Sequence, residues 1–305
     1  MEKRSLGSSE LEVSRLSLGS WRTFERIPRE AGLAVMRAAR EHGLNFLDDA
    51  RYNDETGSAP IATGYSEVLF GELFRAAGWE RAGTVVANKL WWEFWPEQSA
   101  AAELEGSLAR MGFEYVDLIY ANPPPDGLPV PEMVGAMDEL VRAGKAHAWG
   151  IVNWGPAPLL EAARAARRQG LAQPCAAQLP YSVVQREWVE SAEMTLALKA
   201  SGASVIASFV MAGGVLTGKY DAGKAGRAAA EIENPRFAAA RERGRRLNAL
   251  ADELGASPGA LAIAFALANP SVASVLFGAT SPAQITENVA ALEIDPATVE
   301  RVLGI

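Results

Sequence analysis

Asp48, Tyr52, Lys89 and Asn122 fall in turn at the ends of apolar runs, and together they could polarise a carbonyl group. A free tyrosine ionises at a pH of about 10. An ammonium beside it stabilises the phenolate and lowers that value. A carboxylate holds the ammonium in place and keeps it charged. Asp48, Lys89 and Tyr52 would thus make a phenol able to donate a proton near neutral pH. Asn122 adds an amide that can donate a hydrogen bond to a carbonyl oxygen, though it does not titrate near neutrality. Such a site needs a hydride source.

Taken singly, each residue has an ordinary explanation. A lysine at the end of a buried strand is more often a structural ion pair. Asp48-Asp49 could cap a helix or pair with a cation. Tyr52 in Arg51-Tyr52-Asn53-Asp54 could be a loop tyrosine, and Asn122 before Pro123-Pro124-Pro125 could serve a turn. Their order on successive strands raises the joint reading above these. An aldolase using Lys89 as a Schiff base is a further option, but Asp48 beside Lys89 would keep the amine charged. His42 belongs to a helix C-terminus, and His147 opens a strand at the wrong end for catalysis. Two histidines and one cysteine, all far apart, argue against zinc, and no metal is expected.

The elements that must carry these residues alternate along the chain. Short runs rich in Val, Ile, Leu and Ala predict strands over 15–19, 45–49, 84–89, 115–122, 146–152, 175–179, 204–210 and 272–278. Amphipathic stretches predict helices over 30–42, 66–77, 99–111, 131–143, 156–169, 189–200, 237–253, 258–268 and 282–292. Eight strands, each followed by a helix, argue for an α/β fold closed as a (β/α)8 TIM barrel. In such barrels the reactive groups sit at the C-terminal strand ends. The runner-up, a doubly wound open sheet, predicts a GxGxxG turn near the first strand. That strand runs instead into Gly19-Ser20-Trp21-Arg22-Thr23. Residues 1–14 precede the first strand, and 211–235 make a long connection after the seventh. No linker splits the chain, which reads as a single domain over 1–305.

Of 305 residues, 49% are hydrophobic and 22% charged, which excludes a disordered chain. The net charge of −8 excludes the basic footprint of a nucleic-acid binder. A single cysteine, Cys175, precludes an intrachain disulfide and fits a reducing compartment. The start lacks the apolar core of a signal peptide, and the apolar stretch 259–279 is broken by Asn269-Pro270. The expectation is a soluble, cytoplasmic protein that partners neither nucleic acid nor membrane.

The sequence resembles the aldo-keto reductases over nearly its whole length. The opening 6–21 is similar to that family's N-terminal β-hairpin and first strand. Asn45-Phe46-Leu47-Asp48 and Val85-Val86-Ala87-Asn88-Lys89 look like the strands bearing its catalytic Asp and Lys. Further likenesses are Gly64-Tyr65-Ser66-Glu67, Gly144 to Gly150, Gly213 to Tyr220, and Gly278 to Gln284 with Glu287 and Asn288. Tyr120-Ala121-Asn122, Gln178 to Tyr181 and Gln185-Arg186-Glu187 resemble the branch of potassium-channel β-subunits and their bacterial relatives.

The resemblance implies a (β/α)8 barrel, NADPH as cofactor, and reduction of aldehydes or ketones to alcohols. Tyr52 would be the proton donor, Asp48 and Lys89 its tuners, and Asn122 the carbonyl orienter. Ser20 and Trp21 would border the nicotinamide, and Asn153 and Gln178 its carboxamide. Lys219 and Arg227 would meet the 2′-phosphate, favouring NADPH over NADH. Thr280, Ser281, Gln284, Glu287 and Asn288 would hold the adenosine end. Trp91 and Trp92 would line the substrate pocket for a small carbonyl compound. The branch includes tetramers, so a homo-oligomer is one reading of the assembly. The alternative function is an NADPH-binding regulatory or sensor module with little turnover.

Several positions depart from the family. Asp48 and Tyr52 lie four positions apart where five is usual, an insertion over 53–63 follows, and Tyr65 is a second candidate donor. Val152 replaces a small polar residue, Ser208 an aromatic one, and Phe209-Val210-Met211 the usual Ser-Pro-Leu. These changes predict weaker cofactor binding or a changed pose.

Overall fold

The computed structural model describes residues 1–305 except 224, 225, 227, 228, 230 and 231, together with the side chain of 236. Arg227 therefore lies outside the described residues. A short antiparallel hairpin, β1 (Lys3–Ser5) and β2 (Glu12–Ser14), comes first. Eight parallel strands follow: β3 (Leu16–Gly19), β4 (Phe46–Asp48), β5 (Val85–Leu90), β6 (Val116–Ala121), β7 (Ala146–Val152), β8 (Pro174–Pro180), β9 (Ser204–Ser208) and β10 (Val272–Phe277). They close into a barrel in the order β10-β3-β4-β5-β6-β7-β8-β9. All eight expected strands and the closed α/β barrel are present.

Helices α1 (Arg29–Glu41), α2 (Tyr65–Ala76), α3 (Ala100–Met111), α4 (Val130–Arg142) and α5 (Pro156–Gln169) link the first strands. Short α6 (Glu187–Glu190) and α7 (Ala192–Ser201) follow β8; α8 (Ala238–Leu254) and α9 (Pro258–Ala268) follow β9. The helix expected over 189–200 is thus two pieces. They part at Ser191, whose extended backbone ends α6 while its hydroxyl accepts the Met194 N–H and caps α7. After β10 come α10 (Pro282–Val289), a 3₁₀ turn over Ala290–Glu293, and α11 (Pro296–Leu303). The reading of the sequence lacked α11, although Asp295 capping Thr298 and Pro296 in the first turn are its start signals.

Strand parity decides which side chains enter the barrel. Phe46, Val85, Ala87, Leu118, Tyr120, Ala148, Ala176 and Ile206 form one buried cluster inside it. Their neighbours Leu47, Val86, Ile119, Ile151 and Ala177 join the second cluster, between barrel and helices. Continuing the inner parity gives Asp48, Lys89, Asn122, Val152, Gln178 and Ser208 at the C-terminal end.

The hairpin closes the other end. Leu6 and Val13 pack fully buried into the inner cluster. The Gly7 N–H donates to Ser204 Oγ at 2.9 Å, and Arg4 Nη1 to the Val272 carbonyl at 2.6 Å. A Cβ on Gly7 would come 2.1 Å from the Cys175 carbonyl oxygen, and its φ is +55°, so only glycine fits. Among the described residues no single helix is long and apolar enough to cross a membrane. The pair α8 and α9 passes by composition, but it is bent by 103°, and every residue from Gly259 to Leu267 is buried.

Candidate active site

Lys89 lies at the centre of the polar groups in the barrel mouth. Its Nζ contacts Asp48 Oδ1 and lies 3.3 Å from the Tyr52 hydroxyl. Asp48 and Lys89 are both almost wholly buried. Gln178 Nε2 donates to the other Asp48 oxygen at 2.9 Å. β8 and β4 stand on opposite sides of the barrel, so this bond spans its interior. The Asp48 carboxylate is thereby satisfied on both oxygens, as a buried charge must be. Lys89 also stands 5.8 Å and 5.9 Å from the ring centroids of Tyr52 and Tyr120. Burial pushes the Tyr120 phenol well above its ordinary range, so it stays protonated.

Tyr52 reaches this point from a tight loop. Its N–H donates to the Ala50 carbonyl at 2.9 Å, and its carbonyl accepts the Gly64 N–H at 2.8 Å. The insertion begins and ends in an Asn53–Thr63 bridge, so it leaves and returns at one place. Four residues after Asp48, the Tyr52 hydroxyl stands beside Lys89. Tyr65 opens α2 after Gly64, the N-cap residue at φ +80°. The described hydrogen bonds of Lys89 bring Tyr52, and not Tyr65, to its ammonium.

Asn122 follows β6. Its Nδ2 donates to the Leu90 carbonyl at 3.0 Å, and its own backbone carbonyl accepts the Trp92 indole N–H at 3.1 Å. The Asn122 amide keeps a second N–H and its oxygen. Trp91 is half-buried and meets the Tyr52 ring edge-on at 6.0 Å. Trp92 is buried, as is Trp154.

The residues assigned to the cofactor fall into three places. In the mouth, the Ser20 hydroxyl donates to Asp49 Oδ1 and its N–H to the Asp48 carbonyl. Trp21 lies 5.5 Å from the ring of Phe209, with the Arg22 guanidinium 4.9 Å above it. Asn153 is exposed with φ +58°, and its N–H donates to the Gln178 carbonyl. Phe209 also has a left-handed backbone, φ +54°, and is nearly half exposed. Beyond β9, the Lys219 ammonium lies 5.1 Å from the Tyr220 ring. At α10, Ser281 caps the helix through the Gln284 N–H, and Gln284 Oε1 accepts the Thr280 N–H at 2.8 Å. Glu287 is exposed on this helix; Asn288 is buried against Gly259.

Three ionisable groups of the framework around the mouth, Glu67, Glu103 and Arg51, escaped the sequence reading, and a fourth, Asp49, was read there only as a helix cap or a cation's partner. Asp49 is fully buried and burial holds its carboxyl well above the usual range, with the Glu67 charge adding to it. Glu67, also fully buried, accepts from Asn88 Nδ2 at 2.9 Å and Arg110 Nε at 2.5 Å. Glu103 accepts the N–H groups of Trp91 and Trp92 at 2.8 Å and 3.2 Å. Arg51 binds Glu93 at 2.7 Å and Thr63 at 3.2 Å. The sequence did carry a signal for two of them. Glu103 shares the buried stripe of α3 with Ala100, Leu104 and Leu108, and Glu67 that of α2 with Phe70, Gly71 and Phe74. An acid on an apolar stripe needs a buried partner.

A model of the Aldo/keto reductase family matches residues 15–304. A probable voltage-gated potassium channel subunit beta from Oryza sativa subsp. japonica is 34% identical over 319 residues, covering 99% of this chain and 94% of the relative. A protein of the same description from Arabidopsis thaliana is 32% identical with the same coverage.

Proposed function

The chain belongs to the aldo/keto reductase family, and from that premise we propose that it reduces aldehydes or ketones to alcohols with NADPH, Tyr52 giving the proton. The family implies NAD(P)H-dependent oxidoreduction of small carbonyl compounds. One observation carries the finer reading: a single buried ammonium touches both the Asp48 carboxylate and the Tyr52 hydroxyl.

The substrate carbonyl oxygen accepts a hydrogen bond from Tyr52, and the second N–H of Asn122 orients it. NADPH, when bound, supplies the hydride to the carbonyl carbon. As negative charge grows on the oxygen, Tyr52 passes its proton to it. The Lys89 ammonium stabilises the charge left on the phenol oxygen, in a site where low dielectric strengthens the interaction. Asp48 and Gln178 hold that ammonium in register. Solvent returns the proton to Tyr52 after the alcohol leaves.

The residues beyond β9 fit an anionic dinucleotide. A Cβ on Gly214 would come 2.7 Å from Lys219 Cε, and one on Gly226 2.5 Å from its Nζ. These glycines reserve room for a folded-back cation, which would meet the 2′-phosphate together with Arg227. The N-terminus of α10, with Ser281 and Gln284, would take the adenosine end. We take residues 1–305 as one domain acting in the cytoplasm.

The names of the two plant relatives favour a second reading, a nucleotide-binding subunit of a channel with little turnover. Single-turnover absorbance separates the two. Protein in excess over NADPH is mixed with an aromatic aldehyde and the reduced nicotinamide is followed. The reductase predicts decay that Tyr52→Phe slows by orders of magnitude to a small residual rate, while NADPH affinity stays nearly unchanged. Bound NADPH without decay would favour the subunit. Equal loss of rate and affinity in Tyr52→Phe would make Tyr52 structural.

A further inference from the structure

Tyr52 sits one position closer to Asp48 than the family pattern expects, so something other than spacing must set its hydroxyl beside Lys89. The adjoining Arg51 is the group placed to do so. Its side chain is 6% exposed, although it lies in a loop at the mouth. Nη1 donates to Thr63 Oγ1 at 3.2 Å, where the insertion returns. Nη2 donates to Glu93 at 2.7 Å and lies 3.8 Å from Glu103 Oε1. Glu103, itself buried, accepts both the Trp91 and Trp92 N–H groups. The Tyr52 ring rests edge-on against Trp91. Arg51 therefore joins the loop after β4 to the loop after β5, and both loops touch the Tyr52 ring or backbone.

We propose that Arg51 and Glu103 are positioning residues for the reaction, holding Tyr52 at Lys89 through the clasp Thr63–Arg51–Glu93 and the Trp91–Trp92 backbone. The proposal rests on the reading of Tyr52 as proton donor. The described contacts of Arg51 are with Thr63, Glu93, Glu103 and the Phe94 ring, and not with Lys89, so it acts through its neighbour. A guanidinium bridges two acceptors in fixed directions, which the single ammonium of lysine does only in part.

The test uses the full chain with NADPH and 4-nitrobenzaldehyde as the probe substrate. Arg51→Met, Arg51→Lys and Glu103→Gln are each made with and without Tyr52→Phe. Single-turnover rates, kcat, KM and the NADPH Kd are measured. Arg51→Met is expected to lower kcat about 10- to 100-fold, the effect of a small misplacement of a reacting group, with the NADPH Kd unchanged. Arg51→Lys recovers part of the rate, and Glu103→Gln falls in the same direction as Arg51→Met. In the Tyr52→Phe background Arg51→Met adds no further loss, because the group it positions is gone. A parental kcat in Arg51→Met, an equal loss in both backgrounds, or a parallel loss of NADPH affinity overturns the proposal. Should Arg51→Met fail to fold, Glu103→Gln carries the same comparison. If Tyr52→Phe keeps the parental rate, the reading of Tyr52 fails and the proposal with it. If Tyr52→Phe loses the rate and the Arg51 and Glu103 variants keep it, the positioning proposal alone fails.

Discussion

Replacing Asp48 by asparagine keeps the shape of the mouth but removes the charge that faces Lys89. In the parent, Asp48 accepts from Lys89 through one oxygen and from Gln178 through the other. The amide introduced by Asp48→Asn has one oxygen to share between two donors, so its NH2 must face one of them. The ammonium of Lys89, 6% exposed, then lacks its counter-charge. Stranding one partner of a buried pair costs about 3–5 kcal/mol.

Urea unfolding of parent and Asp48→Asn at pH 7 reads this loss directly. Adding Lys89→Met should restore much of the loss, since an apolar side chain needs no partner. A deficit below about 1 kcal/mol at pH 7, the value of an exposed pair, would refute the reasoning. So would a failure of Lys89→Met to restore stability to Asp48→Asn.

Two further perturbations test the framework around the site. Asp49 has a folded pKa raised above its ordinary 3.8, so the native state holds the proton longer than the unfolded chain does. Its destabilising effect opens near pH 4 and grows with pH until the folded value is reached, at up to about 1.4 kcal/mol per unit. Asp49→Asn keeps an acceptor for Ser20 and should abolish that slope; parallel pH profiles of parent and variant in chemical denaturation would count against a raised Asp49. Gly71 in α2 lets the helix touch the end of α3, where a Cβ would lie 2.0 Å from the Met111 carbonyl oxygen. Helix propensity alone favours Gly71→Ala by about 1 kcal/mol, yet overpacking should reverse the sign to a net loss of about 1–3 kcal/mol. A raised melting temperature would disprove the contact.

The strands were legible because each is a short apolar run between turn signals, and because a parallel strand buried on both faces needs no alternation. Asp48, Lys89 and Asn122 were legible as strand ends for the same reason. The break at Ser191 and the helix α11 were harder to see. A four-residue α6 carries too little pattern to separate from α7, and the last helix is short.

The repeat of strand and helix, the family, and the Asp and Lys that meet in the mouth are written in the sequence alone, which left the tyrosine open between Tyr52 and Tyr65. Those follow from local patterning, which each segment carries within its own few residues. The tertiary structure decided what they touch. Gln178 reaches Asp48 across 130 positions, and Glu103 holds the Trp91 N–H from the next helix. It also decided that Tyr52, at an unusual spacing, arrives beside Lys89. A hydrogen bond between distant segments depends on where closure of the barrel sets their backbones, and no run of neighbouring residues encodes that distance.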